Sequence, residues 1–228
     1  MKVGLVILCR YSSSRLRGKI LKEIEGKKVL EYLLEKVRRI ENVSGFCIAT
    51  SVEKDDDLIA DFCQKNQVTI YRGDLNNVAE RFYNCALEND YDAIVRVNGD
   101  NIFLDGEMIE NAVYVFKKEN LDFLSNVKER TYPKGMSIEI VKRNVYKAAL
   151  NSINASEYYK EHVMPYFYDN DKAYKTKYLY HENDAYKNID LALDTIEDFN
   201  LVSKMIRSFT KPHYEYSCKE VVELYKKC

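Results

Sequence analysis

The stretch that decides the fold is V-G-L-V-I-L-C-R-Y-S-S-S-R-L-R-G-K, residues 3–19. Its first part, residues 3–8, is a short apolar run rich in β-branched residues, which predicts a buried parallel strand. Basic and hydroxyl-bearing residues follow this run directly, among them Arg10, Ser12, Ser13, Arg15, Arg17 and Lys19. Hydroxyls, backbone N–H groups and cations at the carboxyl end of such a strand are suited to a polyphosphate. The stretch therefore predicts a phosphate-binding loop, with a solvated basic loop as the alternative.

This loop differs from the two common nucleotide-binding motifs. It contains neither G-x-x-x-x-G-K-[ST] nor G-x-G-x-x-G, so neither glycine-rich phosphate fingerprint applies. The basic character of the loop, and not its glycine content, carries the prediction.

The rest of the chain alternates between strand and helix patterns. Strands are predicted at 3–8, 45–50, 68–71 and 93–97, and helices with apolar residues at helical spacing at 29–40, 55–65, 78–87 and 107–118. This order predicts an α/β fold with a mostly parallel sheet and helices on both faces. Further strands are predicted at 123–127, within 131–141 after a turn that holds Pro133 and Gly135, and at 173–180. Further helices are predicted at 144–151, at 155–167 with a disturbance at Pro165, and at 196–208. Thr195 is the predicted N-cap of the 196–208 helix, with Asp198 three residues on.

Composition narrows the class of protein. The length of 228 residues suits a single domain, and a net charge of −1 with 31% charged residues gives no global field for nucleic acid or membranes. The chain contains no apolar run near the roughly 20 residues that span a bilayer, and its N-terminal apolar run is too short for a signal peptide. Six cysteines occur without a C-x-x-C pair, which is typical of reduced thiols in the cytoplasm.

Two carboxylates lie where predicted elements meet. Asp100 follows the 93–97 strand in N-G-D-N, and Asp194 lies in L-D-T-I-E-D-F just before the 196–208 helix. Gly99 allows a tight turn and the close approach of a ligand. A carboxylate just past a strand end is a candidate metal ligand, with an ordinary Gly-Asp turn as the alternative for Asp100.

The loop and these motifs together resemble the cytidylyltransferases that activate acidic sugars, the CMP-Kdo and CMP-sialic acid synthetases, and above all their SpsF-type spore-coat-polysaccharide branch. The chain matches the family pattern R-x-x-S-x-R-L-P-G-K at Arg10, Ser13, Arg15, Leu16, Gly18 and Lys19. It departs from the pattern at Arg17, where the family has Pro. The resemblance extends over residues 3–205 and includes the family's G-D and L-D-T-P-E-D-L motifs.

The resemblance implies roles for particular residues. The implied catalytic residues are Arg10, Arg15 and Lys19, and the implied metal ligands are Asp100 and Asp194, which would hold Mg²⁺. Two carboxylates are a reasonable set for this ion, which usually keeps waters and uses phosphate oxygens, and Asp190 is the alternative to Asp194 as second ligand. The implied nucleotide-binding residues are Cys9, Arg10, Ser12, Ser13, Lys19, Thr50, Arg72, Arg81 and Asp100. Capping of the next helix is the favoured alternative for Thr50, and surface salt bridges are the alternative for Arg72 and Arg81. For His162, in E-H-V-M-P-Y-F, a structural role is favoured over a substrate contact.

The resemblance also implies a fold and a reaction. The fold would be that of the nucleotide-diphospho-sugar transferases (GT-A-like), with residues 1–228 as one domain and a small α+β insertion. The chain would transfer CMP from CTP to an acidic sugar, or to a related sugar or polyol phosphate, and release pyrophosphate for surface polysaccharide or glycan biosynthesis. Residues 130–185 would form an acceptor-binding and dimerisation subregion, so a cytoplasmic homodimer is expected. A related enzyme that uses another NTP and a non-catalytic nucleotide-binding scaffold are the alternatives.

Overall fold

The computed structural model describes residues 1–13 and 15–228. Its strands are β1 (Val3–Leu8), β2 (Glu23–Ile24), β3 (Lys27–Lys28), β4 (Phe46–Ser51), β5 (Ile70–Gly73), β6 (Ala93–Asn98), β7 (Phe123–Ser125), β8 (Glu139–Lys142) and β9 (Thr176–Tyr178). Its helices are α1 (Val29–Val37), α2 (Asp57–Lys65), α3 (Val78–Glu88), α4 (Gly106–Lys118), α5 (Arg143–Asn154), α6 (Glu157–His162), α7 (Pro165–Asp169), α8 (Ile196–Arg207) and α9 (Cys218–Tyr225).

Within these residues, seven strands form one sheet in the order β5-β4-β1-β6-β8-β7-β9. The pairs β1–β4, β1–β6, β4–β5 and β7–β9 are parallel, whereas β8 is antiparallel to both β6 and β7. The predicted mostly parallel α/β sheet is therefore confirmed. The antiparallel strand β8 separates the region of β1 and its neighbours from the β7–β9 edge.

Strand β1 lies inside the sheet, between β4 and β6, and both of its faces are covered. All six of its residues are buried, and alternate side chains enter different apolar clusters. Leu5 and Ile7 pack with residues of α1, α2 and α4 on one face, whereas Val6 and Leu8 pack with residues of α3 and α5 on the other. A continuous apolar sequence is what a strand between two helical layers requires.

The 130–185 region is built into the sheet and is not a separate appendage. It supplies β8 and β9 to the sheet, while α5 and α6 pack on α3. The strand predicted within 131–141 was too long, since β8 begins only at Glu139. The preceding residues form a loop that the Asn126 amide braces, through a bond of 3.0 Å to the Met136 carbonyl and a bond of 2.7 Å from the Ile138 N–H.

A third apolar cluster lies beneath the two carboxylate motifs. It joins Ile102 and Phe103, which follow Asp100, to Leu193 and to side chains of α8 and α9. Among the described residues, no helix is both long and apolar enough to cross a membrane.

Candidate active site

The loop after β1 is closed by its own backbone. The Gly18 N–H donates to the Tyr11 carbonyl at 2.8 Å, and Gly18 has a φ of +67°, which favours glycine. The Tyr11 N–H donates to Asp56 Oδ1 at 2.6 Å. These bonds return the chain so that Lys19 lies back beside the carboxyl end of β1.

Lys19 brings the two predicted metal ligands together. Its ammonium donates to Asp100, to Asp194 Oδ1 at 3.1 Å and to the Leu193 carbonyl at 2.8 Å. The three charged side chains are only 12–13% exposed. Residues 81 and 175 positions apart in the chain thus form one charged cluster at the end of the central strands.

The position of Asp100 depends on close contact between two strand ends. The Gly99 N–H donates to the Leu8 carbonyl at 2.9 Å. A Cβ on Gly99 would lie 2.7 Å from the Cβ of Cys9, so a larger residue would push the two loops apart. Gly99 therefore serves the approach of the β1 loop, in addition to the turn that the sequence indicated.

The position of Asp194 depends on the start of α8. Thr195 accepts from the Asp198 N–H at 3.2 Å, and the Asp198 carboxylate accepts from the Thr195 N–H at 2.7 Å and the Asp194 N–H at 3.0 Å. The predicted N-cap is thus confirmed, as a reciprocal capping box. The Asp198 carboxylate lies at the helix N-terminus, and Asp194 remains free to face Lys19.

The charge of Asp194 is stabilised by surrounding cations. Burial alone would raise its pKa, but the hydrogen bond and charge of Lys19, with the charges of Arg15 and Lys134, hold the pKa below its ordinary value. The Arg15 guanidinium lies 2.9 Å from Asp194 Oδ1, and the Lys134 ammonium lies 3.4 Å from Oδ2. Asp194 is therefore ionised at neutral pH and available to a cation.

Asp190, the alternative second ligand, has a different environment. Its Oδ2 pairs with Lys134 at 2.8 Å, and its Oδ1 accepts from the Ala192 N–H at 2.9 Å. Its side chain is half exposed and lies outside the cavity lining. The structure therefore brings Asp194, and not Asp190, together with Asp100.

The charged cluster opens into a cavity of about 420 Å³. Several predicted site residues line this cavity: Cys9, Arg10, Ser13, Arg15, Lys19, Arg81, Asp100 and Asp194. The wall also includes three cations that were not predicted as site residues from the sequence, Arg96, Arg130 and Lys134. A cavity with this many cations and two carboxylates is suited to a polyanionic ligand with a divalent metal.

Three predicted nucleotide ligands lie outside the cavity lining. The Thr50 hydroxyl is buried and donates to Asp56 at 2.8 Å, beneath the loop. Arg72 donates to the carbonyls of Ser51 and Glu53 and pairs with Asp57 at 2.8 Å. Ser12 is exposed beside Ser13. Thr50 and Arg72 thus hold the end of β4 together, and this explains why short polar residues and a cation occur there.

Arg81 lies on the wall of the cavity and is 97% buried. Its Nη1 donates to the Asp74 and Leu75 carbonyls, at 2.6 and 3.3 Å, whereas its Nε lacks a hydrogen-bond partner among the described residues. The surface salt bridge considered from sequence is therefore wrong for this residue. A buried guanidinium without a carboxylate partner in the described structure is a group that an anionic ligand would satisfy.

The main site residues that were not predicted from the sequence belong to β6, β8 and the loop before β8. Arg96 pairs with Glu139 at 2.6 Å across β6 and β8, and the Tyr168 hydroxyl donates to the same carboxylate at 2.6 Å. Arg130 donates to the Ser137 hydroxyl at 3.1 Å. One signal was present in the sequence for Arg96 alone, because it is the single charged residue of β6.

The residues that could hold a metal are Asp100 and Asp194. Within the described ranges, no group of three or more His, Cys, Asp or Glu could hold a metal ion by itself. Mg²⁺ is the ion that fits a smaller set, because it binds through one or two carboxylates and takes its other ligands from water and phosphate. The fit therefore requires a phosphate-bearing ligand in the same cavity.

A mostly parallel α/β sheet with a cationic loop after its first strand and two carboxylates beside that loop fits the class of nucleotidyltransferases. Residues 5–221 match the model of the cytidylyltransferase family, so the chain belongs to that family. It is a CTP-dependent nucleotidyltransferase.

Relatives of the chain agree with this family. The fold is similar to a cytidylyltransferase from Leptospira borgpetersenii, with a TM-score of 0.93, 31% identity and coverage of 100% of this chain and 94% of that one. An uncharacterised protein of Methanocaldococcus jannaschii is 33% identical over 92% of this chain and 85% of its own length. The spore coat polysaccharide biosynthesis protein SpsF of Bacillus subtilis is 27% identical over 88% of this chain and 84% of its own.

Proposed function

We propose that the chain transfers CMP from CTP to an acidic sugar, or to a related sugar or polyol phosphate, and releases pyrophosphate. The observation that carries this proposal is the Lys19 ammonium between Asp100 and Asp194 in a cavity lined by cations. An acceptor oxygen attacks the α-phosphorus of CTP, the bond from that phosphorus to the β-phosphate oxygen breaks, and pyrophosphate leaves. Positioning and charge stabilisation account for most of the rate of such a reaction.

The β1 loop would bind the triphosphate. Arg10, Arg15 and Lys19 supply positive charge and Ser13 supplies a hydroxyl, all on the cavity wall. These groups stabilise the charge that collects on the leaving pyrophosphate, and each direct contact is worth a few kcal/mol at such a site. The Cys9 side chain forms part of the wall at the end of β1 and packs against Gly99.

Asp100 and Asp194 would hold Mg²⁺. When bound, this ion supplies neutralisation of phosphate charge and lowers the pKa of the attacking hydroxyl. Lys19 would then donate to the nucleotide in place of the two carboxylates, while Arg15 and Lys134 would stay near the Asp194 carboxylate, from which they lie 2.9 and 3.4 Å.

The wall formed by β6, β8 and the loop before β8 would receive the acceptor. Arg130 and Lys134 present positive charge there, and Glu139 keeps Arg96 in place through a 2.6 Å ion pair. Cations in this wall favour an acceptor with a carboxylate or phosphate group. The similarity to a spore coat polysaccharide protein supports a role in surface polysaccharide or glycan biosynthesis.

The chain would act as a cytoplasmic homodimer. Exposed tyrosines in the 130–185 region, Tyr158 and Tyr180, support an interface there. All six cysteines are free thiols and five of them are buried, which supports a reducing compartment. Light scattering on the purified chain measures the oligomeric state, and a mass of one chain would refute the dimer.

Pyrophosphate release tests the reaction. The full chain is incubated with CTP, Mg²⁺ and one member of a panel of acidic sugars, sugar phosphates and polyol phosphates. We expect release that requires CTP and one acceptor together and that is lost in Lys19→Ala. Equal release with the other three NTPs would refute the preference for CTP, and tight CTP binding without release under any acceptor would favour the nucleotide-binding scaffold.

A further inference from the structure

Helix α6 ends at the cavity in a strained turn. Val163 has a φ of +73° and a ψ of −51°, and the Met164 N–H donates to the His162 carbonyl at 2.8 Å. This is a γ-turn of the rare, strained type, and a positive φ is a true outlier for a β-branched residue. Such outliers persist where the surrounding structure fixes them, and they cluster at functional sites.

The core holds this turn in place. Val163 and Met164 are fully buried, in the apolar cluster that contains Tyr146 and Phe167. The Tyr146 hydroxyl donates to the Val163 carbonyl at 3.2 Å, and the Val163 N–H donates to the Tyr159 carbonyl at 2.9 Å. The chain thus enters the core abruptly at residue 163, which leaves the two preceding residues outside it.

Those two residues, Glu161 and His162, are exposed and line the cavity. The Glu161 carboxylate lies 3.7 Å from the Arg10 guanidinium, a loose contact with the first cation of the phosphate loop. The His162 ring lies beside that of Tyr158, with centroids 4.8 Å apart. The strained turn therefore presents an acid and an imidazole to the phosphate-loop side of the site.

The other two histidines of the chain lie outside the cavity lining, unlike His162. His213 is 5% exposed, has its Nε2 2.6 Å from the Ile102 carbonyl, and has a pKa lowered to about 3 by burial. His181 stacks on Tyr186 at 4.3 Å, outside the cavity lining. His213 is thus a satisfied core histidine, whereas His162 lies on the cavity wall.

We propose that His162 binds the polyphosphate of CTP, and that Arg10 gives up its contact with Glu161 when the nucleotide binds. This inference rests on the proposed function of the cavity. An imidazole N–H is a good donor to phosphate oxygens, whereas a carboxylate at the same edge repels them and competes for Arg10. Adjacent residues therefore have opposite effects on nucleotide affinity.

Titration calorimetry on the full chain, with CTP or CMP and Mg²⁺, tests the inference. We expect His162→Ala to weaken CTP binding about tenfold and His162→Gln, which keeps a donor, to weaken it less. Glu161→Gln should tighten CTP binding roughly threefold, and His181→Ala is the matched control that should leave it unchanged. The loss in His162→Ala should be smaller for CMP, which lacks the β- and γ-phosphates.

Several outcomes would overturn the inference. Unchanged CTP affinity in His162→Ala refutes the contact, and equal losses for CTP and CMP assign it to another part of the nucleotide. Weakened binding in both His162→Ala and Glu161→Gln, with a lowered Tm, indicates a structural role instead. If Lys19→Ala binds CTP as tightly as the unaltered chain, the proposed nucleotide site is refuted as well. If CTP binding is weakened in Lys19→Ala but unchanged in His162→Ala, only the role of His162 is refuted.

Discussion

Replacing Lys19 with Met should abolish transfer while making the bare carboxylate pair a better metal site. The Lys19 ammonium donates to Asp100 and, at 3.1 Å, to Asp194. A divalent cation that binds the same two carboxylates is therefore repelled by this ammonium. Met keeps most of the side-chain volume and removes the charge, so the effect of the Lys19 charge is separated from that of its packing.

The magnitude follows from Coulomb's law. Two unit charges 4 Å apart interact by about 1 kcal/mol in water and about 4 kcal/mol near a protein surface. The three side chains are only 12–13% exposed, so the aqueous figure is a lower limit. For a divalent ion the aqueous figure doubles to about 2 kcal/mol, and this corresponds to roughly 30-fold tighter metal binding in the absence of nucleotide. Turnover should fall by ~100-fold or more, because the leaving pyrophosphate loses a direct cation.

Mn²⁺ serves as the probe, because its free concentration can be read by electron paramagnetic resonance in the absence of nucleotide. Lys22→Met is the matched control, since the Lys22 ammonium lies over the Phe199 ring at 6.0 Å and outside the cavity lining. The control should bind Mn²⁺ and turn over as the unaltered chain does. Equal or weaker Mn²⁺ binding by folded Lys19→Met would refute the electrostatic reasoning, and near-normal turnover would remove Lys19 from the active site.

Three further predictions concern stability, each measured by urea unfolding with the unaltered chain as reference. Glu139→Gln should lower the free energy of unfolding by about 3 kcal/mol, because it leaves Arg96 without its buried partner; a loss under 0.5 kcal/mol would contradict this. Burial lowers the pKa of Lys36 from 10.5 to about 8, so the unfolded chain binds more protons between these pH values. From pH 8 to 10.5, the free energy of unfolding of the unaltered chain should therefore rise by on the order of 3 kcal/mol relative to that of Lys36→Met. A difference between the two chains that does not change with pH would refute the lowered pKa. Thr195→Ala should cost about 1 kcal/mol, since it removes the acceptor for the Asp198 N–H; no loss would show that the cap is dispensable.

The prediction of the parallel sheet succeeded where one strand is covered on both faces. The apolar run of β1 and the alternation that follows it are local signals, and they are sufficient because burial on two sides leaves no polar position in the strand. The prediction failed just before β8, where the alternation that begins at Met136 predicts a strand but residues 136–138 form a loop. There the Asn126 amide supplies the hydrogen bonds that a strand neighbour would have supplied, and a bond between distant residues leaves no periodic signal.

The candidate site shows the same division. The loop cations and the two carboxylates could be found from sequence, since each motif combines charges with turn-forming residues at the end of an element. The network of Arg96, Glu139 and Tyr168 could not, because its members come from three separate elements. Thr50 and Arg72 have residue types that suit a nucleotide, yet their hydrogen bonds go to Asp56 and to backbone carbonyls.

The sequence by itself determined the α/β class, the basic loop after β1 and the two carboxylate motifs, because hydrophobic period and turn chemistry act over a few residues. Only the tertiary structure decided which groups meet. It brings Asp194, and not Asp190, to Lys19 across 175 positions, and it places His162 on the cavity wall. The physical reason is that these contacts depend on strand order and on the packing that holds Val163 in its strained turn, and both are properties of the whole chain.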